Sequence, residues 1–375
     1  MPSRGFTFER LLADLADKQP GWTAERNEFT EMPKAELKKR LGYVPGPDEP
    51  SLEDQEAMAR ANLQLFEAVL AAPTFAETAA YPAAFDNRNY NGHNFVTPVR
   101  DQGGCGSCVA FGVAATAEAR MRRERNNPNL NIDFSEAHLF YCHARSEGRR
   151  CGGNKAGWWP SAALDAFKNK GVTDETHYPY VAGDQDCTGL KPGWQNHVHK
   201  VTGWQKLTDH MDMKKFIAEK GPLVGCFTVY QDFMAYKSGV YRHVSGNAVG
   251  GHCISVVGYD DANRYWICKN SWGSNWGESG YFRIAYGECG IDGVMYAINS
   301  VETGWEHNAH VTGLWANNAN RNAWVHFAGI GWRKISPDND NIFLDMLIQL
   351  ATAKAGNRPV HFYQVASVIK QIYVL

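Results

Sequence analysis

The chain lacks any apolar run approaching the ~18 residues that a membrane-spanning helix needs. Its first residues, MPSRGFTFERLLADLADKQPGW, carry acids and contain no apolar core of about 7–15 residues, so no classical secretory leader is read there. Excess charge is also lacking: 38 basic against 40 acidic side chains leave a net charge of −2. That balance excludes a chain built to neutralise nucleic-acid phosphates or to sit on a charged membrane. No second C-x-x-C follows Cys105-Gly106-Ser107-Cys108, and no histidine pair stands at metal-ligand spacing. A redox pair or half a zinc site is the alternative reading of that motif alone, but neither a metal nor a cofactor is expected.

Cysteine itself is not scarce: there are nine in 375 residues, a length sufficient for two or three domains. Cys108 follows Gln102 by six residues and opens the Ala-rich stretch VAFGVAATAEARMRRERNNP. That stretch has no internal proline and ends in arginines before Pro128, the pattern of a helix with basic last turns and a proline stop. Cys108 is thus placed at a helix N-terminus, where unpaired N–H groups and the macrodipole favour an anion. Beside an imidazolium, a thiol there can lose several pKa units.

Gly250-Gly251-His252 and Lys269-Asn270-Ser271-Trp272-Gly273 supply what such a cysteine needs. Residues 253–259 and 264–269 read as strands around the turn Asp260-Asp261-Ala262-Asn263. A turn centred near residue 261 sets His252 directly opposite Asn270, so the asparagine can hold one ring nitrogen and turn the other toward the thiol. Cys253 should point to the other strand face.

These residues resemble the papain family of cysteine peptidases, whose signature is C-G-[SA]-C-[WY] with His and Asn about 130–150 residues downstream. Here His252 follows Cys108 by 144 residues and Asn270 follows it by 162. Thr97-Pro98-Val99-Arg100-Asp101-Gln102, Phe134-Ser135-Glu136, Tyr178-Pro179-Tyr180, Gly221-Pro222 and Trp276-Gly277-Glu278 agree in order, over roughly residues 79–300. The chain departs from the pattern at Val109, where the family usually has tryptophan, and at Gly251, where it often has Asp or Asn.

The resemblance implies an α+β, two-lobed papain-like fold, with helices near 107–125, 135–142 and 160–170 before a β lobe. It implies Cys108 as nucleophile, His252 as base and acid, and Asn270 as orienter. Gln102 and the Cys108 N–H would form the oxyanion hole, and Trp272 would cover the His–Asn pair. Gly157 would bind substrate backbone, and Trp159, Cys226, Cys253 and Val294 would line the main pocket, which predicts an apolar preference. It also implies the bridges Cys105–Cys151 and Cys142–Cys187, with Cys226, Cys253, Cys268 and Cys289 left unbridged. Bridges require an oxidising compartment, so a secreted or extracytoplasmic location is expected by a route not visible in the sequence. No His-rich insertion stands between Cys142 and Cys151, which favours an endopeptidase over a cathepsin B-like exopeptidase.

Three domains are expected: 1–78, 79–303 and 304–375. The first is similar to the short propeptides of the cathepsin B branch at Glu36-Leu37-Lys38-Lys39-Arg40-Leu41-Gly42, with Gly42–Pro47 crossing the cleft. It also holds a helix from Ser51 to Ala72, with a Ser51/Asp54 capping pattern and a Leu63, Phe66, Leu70 stripe. The last reads β-β-α-β-β, compatible with a small OB-like barrel. Its Trp315, Trp324, Trp332 and Phe362 belong either to a core or to a module that binds a glycan or a protein. The leading expectation is a zymogen of a cysteine endopeptidase acting on peptides or proteins through a thioester. A transpeptidase or ligase on the same chemistry, and an inactive scaffold for the C-terminal module, are the alternatives.

Overall fold

Fifteen strands and seven α-helices organise the residues that the computed structural model describes: 6–70, 81–303, 305–337, 339–365 and 368–375. In chain order the helices are α1 (Phe8–Lys18), α2 (Lys34–Lys39), α3 (Leu52–Leu70), α4 (Cys108–Glu124), α5 (Pro160–Asn169), α6 (His210–Glu219) and α7 (Asp340–Ala355). The strands are β1 (Trp22–Ala24), β2 (Ala84–Asp86), β3 (His199–Leu207), β4 (Leu223–Tyr230), β5 (Tyr236–Tyr241), β6 (Ala248–Asp260), β7 (Tyr265–Lys269), β8 (Tyr281–Ala285) and β9 (Met295–Thr303). Beyond them lie β10 (Trp305–Ala309), β11 (Val311–Ala316), β12 (Ala323–Phe327), β13 (Gly331–Ile335), β14 (Val360–Val365) and β15 (Val368–Val374).

Helix α4 starts at Cys108 and ends in basic residues, Arg122 and Arg123, which oppose the negative end of its dipole. Nearly all of its side chains are buried, because it lies between the helical lobe and the β lobe. Gly112 permits this: a Cβ there would stand 3.2 Å from the Ile254 backbone of β6. Thr116 Oγ1 donates to Ser255 Oγ at 2.8 Å one turn further on. The helix expected near 135–142 forms with a π-helical centre over His138–Ala144, its start held by Ser135 Oγ accepting from the His138 N–H at 2.9 Å.

Nine strands form the main sheet, in the order β1-β5-β8-β7-β6-β4-β9-β3 with β2 added beside β6. Two cores result: one is built on the β-lobe face around Phe227, Phe233, Trp266 and Phe282, the other around α4, α5 and Trp158. The N-terminal region is woven into both. Its β1 pairs with β5, Trp22 packs 5.2 Å from the Tyr241 ring, and Phe66 of α3 lies 5.3 Å from His210. The Ser51/Asp54 cap forms, with the Asp54 N–H donating to Ser51 Oγ at 3.1 Å. The side chain of Leu70 and residues 71–72 lie outside the described residues.

The C-terminal residues form a separate six-stranded sheet, ordered β10-β14-β15-β13-β12-β11, with α7 packed on one face through Phe343, Met346 and Leu350. This corrects the OB-like barrel: among the described residues the path has two ends, and β10 and β11 do not pair with each other. Two strands escaped the pattern reading. AWVHFAGIGWRKI folds as the hairpin β12–β13 around a Gly329 at φ 71°, and β10 precedes β11. Phe362 is core, stacked on Phe327 at 4.2 Å, whereas Trp315 and Trp332 are 48% and 47% exposed.

Candidate active site

The imidazole of His252 and the amide of Asn270 meet at 2.7 Å, Nε2 to Oδ1. They do so diagonally, which corrects the expected direct opposition. Ser255 pairs with Lys269 and Val256 with Cys268, so the register runs Ile254, not His252, alongside Asn270. The turn is later than its composition indicates, with Arg264 at φ 57°, and a bulge between Val256 and Gly258 shifts the ladder by one. Diagonal partners on one face remain within reach of long side chains. Ser271 N–H also donates to Asn270 Oδ1, at 2.8 Å, which fixes the amide's orientation.

The second imidazole nitrogen, Nδ1, is buried without a hydrogen-bond partner. Trp272 covers the ring at 4.7 Å between centroids, and Phe29 from the N-terminal region packs on Trp272 at 5.3 Å. Burial pushes His252 down to about 4, opposed by the hydrogen bond its Nε2 donates to Asn270 Oδ1. Cys108 is fully buried too. Burial raises its thiol well above the ordinary range; the neighbouring Cys253 thiol adds to this, and backbone groups of Cys253, Gly42 and Val109 counteract it. The β6 residue next to His252 therefore touches the Cys108 thiol.

Gln102 is held from three sides. Its N–H donates to the Ser271 carbonyl at 2.9 Å, Ser271 Oγ donates to its Oε1 at 2.6 Å, and Tyr180 Oη donates to its carbonyl at 2.8 Å. With Oε1 engaged, Nε2 faces the start of α4 and donates to the Cys105 carbonyl at 2.8 Å and the Arg40 carbonyl at 3.1 Å. Ser271 and Tyr180 lie inside motifs visible in the sequence, but nothing in the sequence marks their hold on Gln102.

Residues 40–46 of the N-terminal region cross this site. The Tyr43 N–H donates to the Gly251 carbonyl at 3.0 Å on the β side. On the helical side the Trp158 N–H donates to the Gly42 carbonyl at 2.8 Å, and the Val44 N–H donates to the Trp158 carbonyl at 3.0 Å. The N–H and carbonyl of Gly157, expected to bind substrate backbone, bond Arg150 and Arg149 while residues 40–46 occupy the cleft. Gly157 also provides room, since a Cβ there would stand 2.1 Å from the Gly42 oxygen, and one at Gly42 would stand 2.0 Å from the Gly106 oxygen.

The Tyr43 side chain is buried in the same core as Trp158, Cys226, Cys253 and Val294. Its hydroxyl meets Glu49 at 3.4 Å and also Gln55 Nε2, both from the same N-terminal region. Glu49 anchors the crossing by accepting from the Ser161 N–H and hydroxyl at 3.1 and 2.7 Å, at the positive end of α5. Trp159 is partly buried at the rim, against Gly46. Cys226 and Cys253 stand opposite each other on β4 and β6, and Phe227 stands opposite His252. Cys105 is bonded to Cys151 and Cys142 to Cys187, while Cys108, Cys226, Cys253, Cys268 and Cys289 are free and buried.

Residues 81–298 match the family model described as papain family cysteine protease. A cathepsin B-like protein, CP3, of Giardia intestinalis is 39% identical over 226 residues, covering 56% of this chain and 72% of that protein. Its CP2 counterpart is 37% identical over 236 residues, covering 60% and 76%. Among solved structures, procathepsin B S9 of Trypanosoma congolense superposes with a TM-score of 0.61 at 24% identity, over 80% of this chain and 99% of that one. Procathepsin L2 of the Tenebrio molitor larval midgut gives 0.60 at 28%, over 78% and 88%. The chain belongs to the papain family of cysteine peptidases, and it carries a propeptide.

Proposed function

We propose that the mature chain is an endopeptidase in which Cys108, His252, Asn270 and Gln102 act together, and that residues 1–78 hold it latent. Cys108 Sγ attacks the scissile carbonyl while His252 accepts the thiol proton. Gln102 Nε2 and the Cys108 N–H stabilise the oxyanion, and His252 returns the proton to the leaving amine as the thioester forms. Water activated by His252 then cleaves the thioester and restores the thiol. The observation that carries this reading is the crossing by residues 40–46, which occupies the cleft between Gly251 and Trp158 directly over the Cys108 thiol.

Tyr43 stands in for a substrate side chain in the main pocket. Both polar partners of its hydroxyl belong to the N-terminal region and leave with it, and the core it shares with Trp158, Cys226, Cys253 and Val294 is largely apolar, with the Tyr296 hydroxyl as a polar group near by. This supports a preference for an aromatic or aliphatic residue just before the one whose carbonyl is attacked. The segment between Cys142 and Cys151 folds back on the helical lobe, with Arg145 on Asp184 at 3.1 Å and Arg149 on the Gly157 carbonyl at 2.6 Å. That supports an open cleft and internal cleavage. The two disulfides support an oxidising compartment. Profiling the processed enzyme on internally quenched peptides tests the reading: Phe, Tyr or Leu at the pocket position should exceed Arg by more than roughly 10-fold in kcat/KM. Cleavage confined to dipeptides from one end would refute the endopeptidase assignment.

The half-exposed Trp315 and Trp332 favour a second role for the C-terminal sheet, as a surface that binds a glycan or a protein.

A further inference from the structure

Away from the cleft, Asp174, His177 and His197 each offer a ligand atom, and these atoms all lie within 4.8 Å of one another. His177 Nδ1 is 2.7 Å from Asp174 Oδ1, and His197 Nδ1 is 3.2 Å from Asp174 Oδ2. The two imidazoles stack with centroids 3.9 Å apart and planes 26° from parallel. We propose that these three side chains form a binding site for a divalent ion of the zinc class.

Two imidazoles and one carboxylate are a donor set suited to Zn²⁺ and its borderline neighbours, and unlike the all-oxygen sets of calcium or magnesium. A tetrahedral zinc with bonds of roughly 2.0–2.2 Å separates its ligand atoms by about 3–3.5 Å. The two nitrogen–oxygen separations, to different oxygens of Asp174, are close to those of a loaded site, and turning the stacked imidazoles toward a common point admits the ion in place of the imidazole protons. Side-chain exposures of 20% for His177, 22% for Asp174 and 40% for His197 leave a way in and a fourth position for water.

The site is held from both sides. Asp174 accepts from the His177 N–H at 2.9 Å and from Thr176 Oγ1 at 2.6 Å, and it forms a β-bridge with Phe134. Thr173 Oγ1 donates to the Trp194 carbonyl at 3.2 Å, tying the turn that carries His177 to the one that carries His197. A bound ion would lock residues 173–180 to 194–197. Tyr180, at the end of the first segment, bonds the Gln102 carbonyl and Ser107 Oγ, each at 2.8 Å, so the clamp would stiffen the support of the nucleophile helix.

The test uses full-length Cys108→Ser protein, which keeps the nucleophilic thiol out of the measurement. Titration with Zn²⁺ by calorimetry and with Co²⁺ by visible spectroscopy should show one equivalent bound, with d–d bands lacking thiolate charge transfer. Excess Zn²⁺ should raise Tm. Affinity should fall by roughly 100-fold or more in His197→Gln and in Asp174→Asn, with circular dichroism of the metal-free variants unchanged. Equal stoichiometry and affinity in both variants, a thiolate signature for the bound Co²⁺, or no binding at all would overturn the proposal and leave a hydrogen-bonded staple.

Discussion

Gln102 Nε2 reaches past the Cys105 carbonyl to a carbonyl of the N-terminal region, and it can do so because Ser271 Oγ occupies the opposite end of the amide. On the processed enzyme, Gln102→Ala should lower kcat by about 10²–10³ while leaving Cys108 alkylable. Ser271→Ala should lower kcat by a smaller factor, roughly 10-fold, because it frees the amide to turn without deleting the donor. A Ser271→Ala variant with unchanged kcat would remove that positioning role. Protonation is the other matter at this scale. A raised Cys108 thiol holds less thiolate at every pH, and a His252 pushed down to about 4 is neutral above that value. Alkylation of the intact chain by iodoacetamide should therefore still be climbing with pH beyond the ~8.5 of a free cysteine, with no plateau near neutrality. Removal of residues 1–78 readmits water, and a plateau from mildly acidic to neutral pH should appear. These side chains were legible in the sequence because the chemistry restricts which residue types can serve. The His252–Asn270 geometry was only half legible, since neither the late turn nor the bulge near Val257 has a composition signal.

The crossing by residues 40–46 is the element on which latency depends. The similarity of residues 36–42 to the propeptides of the cathepsin B branch marked it in the sequence, but the anchoring role of Tyr43 did not show: a lone aromatic carries no information about the pocket it fills. Truncating a buried aromatic costs about 3–5 kcal/mol, so Tyr43→Ala should weaken inhibition by the isolated 1–78 segment by 100-fold or more. Gly42→Ala should weaken it as well, because the new Cβ would stand 2.0 Å from the Gly106 oxygen. Inhibition constants of the variant segments against enzyme from which residues 1–78 have been removed check both. The C-terminal strands show the converse limit. Alternation located most of them, but their order, including the parallel β13–β15 pair, depends on which edges meet and is not written in any one strand.

At the scale of the whole molecule, the C-terminal sheet is joined to the peptidase body. Arg125, at the C-terminal end of α4, forms a buried ion pair with Glu306 of β10. Cutting at Ser300 would also unpair Val301–Thr303 from His199–Val201, so the informative truncation ends at Thr303. It should preserve kcat on small peptides but lower Tm by several degrees, since it removes the Glu306 carboxylate from Arg125 and the sheet packed beside it. An unchanged Tm would show the ion pair to be dispensable. The two bridges close spans of 46 and 45 residues, and thiol titration of the unfolded, unreduced protein should count five. The central claim is that the 1–78 segment masks a competent Cys108–His252–Asn270 site. It is tested most directly by the rate at which an epoxysuccinyl reagent labels the intact chain and the chain freed of residues 1–78. The account predicts labelling at Cys108 alone, faster by 100-fold or more after removal, and lost in His252→Ala. Equal rates before and after removal, or label on any other cysteine, would contradict it.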